Sequence, residues 1–126
     1  MPIEVRQYIP GDENAVWTLH NEALAGTGAH PGNGPWDDDL HDIEGHYLSP
    51  GGSFLVGLVD GKIVAMGALK QIDGAVGEIK RMRVAPRYQR RGYGHAVLLA
   101  LEYLAQKMGL SKLELETTDV QLAAQQ

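Results

Sequence analysis

The sequence predicts an α+β domain: antiparallel strands first, then a single β-α-β crossover near the end. Three observations carry this. Residues 54–59 and 62–69 are apolar runs separated by Asp60-Gly61, the strongest short hairpin signal in the chain. Residues 93–108 form one long amphipathic stretch. Directly after it, Leu113 and Leu115 alternate with Glu114 and Glu116, the mark of a strand.

Taken in order, residues 3–9 read as a first strand, with Ile3, Val5 and either Tyr8 or Ile9 facing inward. Pro10 and Gly11 end it. Asp12 is placed to cap a helix through Leu24, with Val16, Leu19 and Ala23 on one stripe. The glycine- and proline-rich stretch GTGAHPGNGP, residues 26–35, is a loop. A second helix is expected over residues 36–48. Leu40, Ile43 and Tyr47 share a face there, and Asp37, Asp38 and Asp39 sit in the first turn, where the helix dipole favours negative charge. A turn at 49–52 precedes the hairpin, a second turn occupies 72–77, and residues 78–84 form a further strand. In the last long helix Val97, Leu101, Leu104 and Met108 line one face, widened by Leu98 and Ala105, and Gly109 suits a left-handed C-terminal cap. Residues 112–117 are the fifth strand, and Asp119 opens a further helical pattern. The order is βααβββαβ, with the crossover expected to be right-handed.

Composition limits the function. The 126 residues suit one compact domain, and 44% hydrophobic content is ordinary for a globular chain. No apolar run approaches the roughly 20 residues of a membrane-spanning helix, and the N-terminus lacks the pattern of a signal peptide. With no cysteine there is no disulfide, thiolate metal site or cysteine nucleophile, and the cytoplasm is the default location. His41 and His46 are five apart, the wrong spacing for two metal ligands on one helix face, and no metal is expected. His20 and His46 read as ordinary helix residues. A net charge of -5 argues against broad binding to nucleic acid or an anionic membrane.

Against that acidity, Lys80, Arg81, Arg83, Arg87, Arg90 and Arg91 place six of the eleven basic side chains within twelve positions. They form either a solvated basic face or a site for a small polyanion. The loop leads into a helix N-terminus, where backbone N–H groups have no intrahelical partner and the dipole favours an anion. Gly92 and Gly94 remove Cβ atoms that would hold a ligand off the backbone. The P-loop pattern is absent. The dinucleotide fingerprint G-x-G-x-x-G begins at Gly92-Tyr93-Gly94, but Val97 occupies its third position and Ala85 to Arg91 separate it from the strand.

Gln89-Arg90-Arg91-Gly92-Tyr93-Gly94 matches Q/R-x-x-G-x-G/A, the acetyl-CoA pyrophosphate motif of the GNAT N-acetyltransferase superfamily. EIKRMRVAP before it, the amphipathic helix after it and the strand LELET next strengthen the resemblance, which covers about residues 1–120. The resemblance implies a three-layer α/β arrangement, a mixed, mostly antiparallel sheet flanked by helices, with the fourth and fifth strands splayed apart. In the gap the pantetheine arm of acetyl-CoA, the implied cosubstrate, would bond to the backbone of Met82, Arg83 and Val84. Backbone amides of Gln89, Arg90, Arg91, Gly92, Tyr93, Gly94 and His95 would hold the diphosphate.

The resemblance further implies direct attack of an amine on the thioester, with a base to keep the amine neutral. Glu78, opening the fourth strand, is the candidate base; the alternative is a surface carboxylate paired with Lys80. His30, with Asp37 to Asp39, is the candidate recognition element for a cationic acceptor, set against a plain loop and an acidic helix start. The tyrosine that serves as general acid in many relatives would lie on the helix after the fifth strand, and residues 119–126 contain none. One domain over residues 1–126 is therefore expected, truncated after the fifth strand or completed by a partner chain in a homodimer. The leading expectation is acetylation of a primary amine on a small molecule. A non-catalytic acyl-CoA-binding module and a peptide or protein N-acetyltransferase are the alternatives.

Overall fold

The structure is a computed structural model that describes residues 2–27 and 33–115. His30, the end of the expected fifth strand and everything after it lie outside the described residues. Five strands form one sheet in the order β1-β2-β3-β4-β5. They are β1 (Glu4–Gln7), β2 (Ser53–Val59), β3 (Lys62–Gln71), β4 (Val76–Val84) and β5 (Lys112–Leu115). The first four pair antiparallel with their neighbours, and β4 pairs with β5 in parallel. Helix α1 (Glu13–Thr27) packs on one face and α2 (Tyr93–Lys107) on the other. The result is the expected three-layer arrangement around a mixed, mostly antiparallel sheet.

The core divides accordingly. On the α2 face Val97, Leu101 and Ala105 meet Leu55, Ala65, Leu69, Ile79, Met82 and Val84. The four-residue spacing of Tyr93, Val97, Leu101 and Ala105 makes them the buried row, and Leu104 and Met108 flank it, half-buried. On the α1 face Val16 and Leu19 pack with Leu40, Ile43, Tyr47, Phe54, Val56, Met66 and Ala68. His20 is a helix residue as expected, on the same helix, and is fully buried.

Local signals explain the junctions. Asp60 and Gly61 both have positive φ, 52° and 79°, as a two-residue hairpin turn matching the strand twist requires. At the end of α2, Gly109 has φ 81°, and Leu110 N–H donates to Ala105 O while Gly109 N–H donates to Gln106 O. That is the double bond of a left-handed helix stop. The strand β1 stops at Gln7, short of the expected residue 9; just after it Tyr8 turns inward and Ile9 stays exposed. Asp12 accepts hydrogen bonds from Ile9 N–H, behind it, and from Arg6, so it closes the turn Pro10–Asp12 rather than capping α1 forward.

The expected helix over residues 36–48 is two shorter pieces, a 3-10 segment Pro35–His41 and a single π turn Glu44–Leu48. Asp42 separates them with φ -150°. Its carboxylate accepts a bond from Gly45 N–H and fills the space a Cβ would need there, so a side chain competes with the helix for the backbone. The Trp36 carbonyl is taken by Arg81. The apolar face survives the break: Leu40, Ile43 and Tyr47 are all buried. No helix among the described residues is long and apolar enough to cross a membrane.

Candidate functional site

The end of β4 and the loop behind it meet at one place. After Val84 the chain makes a 3-10 turn, Pro86–Tyr88, and enters α2 through Gln89 to Gly92. The Gln89 side chain donates to Val84 O at 3.2 Å, which ties the start of the loop to the end of the strand. Gln89 has φ -69°, Arg90 φ 64° and Gly92 φ 83°. Gln89 itself is extended, with ψ 159°, and the left-handed residues Arg90 and Gly92 then turn the chain sharply into the helix. Gly92 is the N-cap of α2 with no side-chain cap bond, and a Cβ there would meet no atom within 4 Å. Gly94 and His95 follow in the first turn, where N–H groups have no intrahelical acceptor.

Charge surrounds this turn. Arg90, Arg91 and His95 are exposed, and Arg91 lies over the Tyr88 ring at 5.7 Å. Among the described residues no carboxylate pairs with Arg87, Arg90 or Arg91. Tyr93 turns its ring into the core and can offer a ligand only its backbone. The N-terminus of α2, open space over Gly92 and two exposed guanidinium groups with no carboxylate partner among the described residues fit a diphosphate.

The strand beside it is irregular. Met66 pairs with Arg83 and Ala68 with Lys80, so Arg81 and Met82 together oppose Gly67. This is a β-bulge, and Arg81 takes φ 59° in it, a conformation that costs a non-glycine residue about 1–3 kcal/mol. Gly67 makes room for the displaced side chain, since a Cβ there would lie 2.5 Å from Met82 Sδ. Beyond the bulge, Ala85 N–H donates to Val64 O. Strand alternation then turns the backbone of Arg83 toward β3 and that of Met82 and Val84 toward the β5 side. On that side the described residues of β5 pair with β4 from Val76↔Lys112 to Ile79↔Leu115, and β4 continues to Val84.

Glu78 lies in the paired half of β4, opposite Lys70 on β3 and Glu114 on β5, and is half-buried. It forms no ion pair with Lys80 or Lys70 among the described residues. Its side chain shares the α1 face of the sheet with those of Lys80, Arg81 and Arg83.

That face holds a buried polar network the sequence reading missed. Arg81 Nε donates to Asp39 Oδ2 at 3.0 Å, and Arg81 Nη2 donates to Asp39 Oδ1 and to Trp36 O, each at 2.6 Å. Tyr47 Oη also donates to Asp39 Oδ2. Asp37 Oδ1 accepts from His20 Nε2 at 3.0 Å and lies 3.5 Å from Arg81 Nη1, and Asn33 donates to Asp37 Oδ2. Asp37 and Asp39 are thus engaged inside the protein, and only Asp38 of the three is exposed. The acidic helix start proposed for acceptor recognition is largely an internal clamp.

Electrostatics follow from this packing. Burial pushes the Asp39 carboxyl up, but the hydrogen bonds from Arg81 and Tyr47 and the guanidinium charge outweigh it and hold it below the usual range. Burial, then the bond to Asp39, pushes the Tyr47 hydroxyl up, so it stays a donor. His20 is pushed down to about 4, first by burial and then by the charges of Arg83 and Arg81, against the pull of Asp37. The His20–Asp37 contact is therefore a hydrogen bond from a neutral imidazole, not an ion pair.

Comparison with known proteins agrees with this geometry. The profile of the Acetyltransferase (GNAT) family matches residues 14–126. An acetyltransferase of the GNAT family from Staphylococcus aureus Mu50 superposes with a TM-score of 0.89 at 21% identity, covering 98% of this chain and 79% of that one. The PaiA N-acetyltransferase from Thermoplasma acidophilum, solved in complex with coenzyme A, gives 0.80 at 19% identity, with 98% and 86% covered. In sequence, 56 residues are 43% identical to YedL, an uncharacterized N-acetyltransferase of Escherichia coli (strain K12). That match spans 44% of this chain and 35% of the relative, about a third of its length. From the family profile over most of its length, the chain belongs to the acetyltransferase (GNAT) family.

Proposed function

We propose that this chain is an acetyl-CoA-dependent N-acetyltransferase acting on a primary amine of a small molecule, by direct attack in a ternary complex, in the cytoplasm. The observation that carries the reading is the turn of residues 89–92 into the N-terminus of α2, with Arg90 and Gly92 at positive φ, exposed Arg90 and Arg91 beside it, and Gln89 tying it to the end of the bulged strand β4. Acetyl-CoA would supply a thioester, whose acyl carbon forms a C–N bond as its C–S bond breaks and the coenzyme leaves as its thiol.

The chain's own groups divide the work. The amides of residues 89–95, with Arg90 and Arg91, hold the diphosphate. Met82 and Val84 present backbone toward the acyl arm; Arg83, whose main chain faces β3, contributes through its neighbours. Glu78 takes the proton the attacking ammonium must lose, directly or through water. His30 and the exposed Asp38 belong to the acceptor side of this proposal.

The test is release of coenzyme A thiol over a panel of amines, with Glu78→Gln beside the wild type. Turnover at neutral pH is expected to fall about 10²–10⁴-fold in the variant, the usual worth of a positioned base, with acetyl-CoA affinity nearly unchanged. Unaltered turnover removes Glu78 from the mechanism. Coenzyme binding without release for any amine or basic peptide would identify a passive acyl-CoA-binding module instead. Release with peptides alone would move the acceptor to the protein class.

A further inference from the structure

We propose that Arg81 is a positioning residue for this reaction, fastening the bulge of β4 to the segment Pro35–His41 so that the acyl-facing strand and the acceptor-side wall hold one fixed geometry. The inference rests on the acetyltransferase reading above and adds to it the part that sets reactant alignment.

The geometry is that of a clamp. Arg81 uses Nε and Nη2 on the two oxygens of Asp39 and reaches the Trp36 carbonyl with Nη2 as well. A planar guanidinium matches that set of acceptors; a lysine ammonium of equal charge cannot. Tyr47, from the π turn Glu44–Leu48, donates to the same Asp39 carboxylate, so three segments converge on it. The partners are 42 and 45 residues away in sequence, so these bonds tie together segments that the chain does not place side by side.

The clamp joins two places that reaction geometry makes sensitive. One is the left-handed residue of the bulge itself, which sets where Met82 and Val84 point their backbone. The other is Trp36, 57% exposed, whose ring lies against Gly34 where a Cβ would come within 2.6 Å of it. This partly exposed aromatic surface has its main chain pinned from β4, a suitable wall for the carbon skeleton of an amine. Core packing of this region comes from Leu40, Ile43 and Tyr47. The fold therefore does not depend on Arg81 alone, and its loss should appear in alignment.

The experiment compares wild type with Arg81→Lys, which keeps the charge and removes the fork, and with Asp39→Asn, a second break in case the first does not fold. Val59→Ala, in the core at the far end of β2, serves as a control for general destabilisation. Two readouts are taken: kcat and KM for each substrate, and backbone hydrogen exchange of the free protein. Arg81→Lys and Asp39→Asn are expected to lower kcat by on the order of 10–100-fold, the scale of a small misplacement, with the KM for acetyl-CoA within about twofold. Exchange should quicken together in residues 35–41 and 80–84 and not in residues 53–59, while Val59→Ala leaves kcat unchanged. An unchanged kcat in both clamp variants overturns the proposal, as does exchange that rises in only one of the two segments or evenly throughout. If the wild type acetylates nothing, the acetyltransferase reading fails on its own, and exchange still decides whether the clamp couples the two segments.

Discussion

Acidification should destabilise this protein through one residue, His20. The imidazole is fully buried in α1, hydrogen-bonded to Asp37, with the Trp17 ring 5.7 Å away and the charges of Arg81 and Arg83 nearby. Burial and those two charges bring it from 6.5 in the unfolded chain down to about 4. Because the folded value is the lower one, the neutral form stabilises the fold fully above about pH 6.5, and that stability drains away as pH falls toward 4. The drop corresponds to about 3 kcal/mol, a large part of the roughly 5–15 kcal/mol that holds a typical domain together. Asp12 and Asp39 are also held low, but they lose their contribution only below the ordinary 3.8 of a free aspartate, outside this window. Urea denaturation at about pH 7, 6, 5 and 4.5 measures the slope. Wild type should lose most of those 3 kcal/mol across the series, and His20→Gln should lose less than about 1 kcal/mol. An equal decline in the variant would refute the reasoning, because the protons would then be binding elsewhere.

Replacing both Arg90 and Arg91 with alanine should weaken coenzyme A binding about tenfold or more, as befits lost charge-assisted bonds. It should also flatten the salt dependence seen by calorimetry, without moving the urea midpoint, since both side chains are exposed. Gly92→Ala meets no steric obstacle but must hold φ near 83°, so it should cost about 1 kcal/mol in thermal denaturation and loosen coenzyme binding. Gly67→Ala brings a methyl group to 2.5 Å from Met82 Sδ and 3.0 Å from Leu101 and Val97, an overpacking worth about 1–3 kcal/mol. In a double-mutant cycle Met82→Ala should recover part of that loss, and strict additivity would contradict the packing described here.

What could be read in the sequence was local, and what could not was long-range. The α2 stripe, the Asp60-Gly61 turn and the Gly109 stop each depend on neighbours within a few positions; the two turns appear where the residues indicate, while the stripe is rotated, its buried row running through Tyr93, Val97, Leu101 and Ala105 with Leu104 and Met108 at its flank. The left-handed turn at Gly92 was legible for the same reason, since Gly92 belongs to a short spacing pattern. Arg90 adopts positive φ without any such mark. The segment 36–48 has the apolar spacing of a helix and still breaks, because the Asp42 carboxylate and a distant arginine compete for its backbone. Likewise EIKRMRV reads as an uninterrupted strand, and the bulge exists only in its pairing with β3. Gly67, interrupting an apolar run, is the one local sign of it. Burial of His20, Asp37 and Arg81 follows from each meeting a partner across the fold, which no periodicity encodes.

The uninterrupted succession of β2, β3 and β4 in the sheet has a consequence for how the molecule assembles. Each of these strands finds its partner through a short connection, so little chain entropy opposes their meeting, and the three can zip up as a local unit. By contrast, β5 reaches β4 only after the whole of α2 has crossed the sheet. The central meander is thus expected to form first, with α2 laid over it afterwards, and mutations in β2–β4 should slow folding more than mutations in β5.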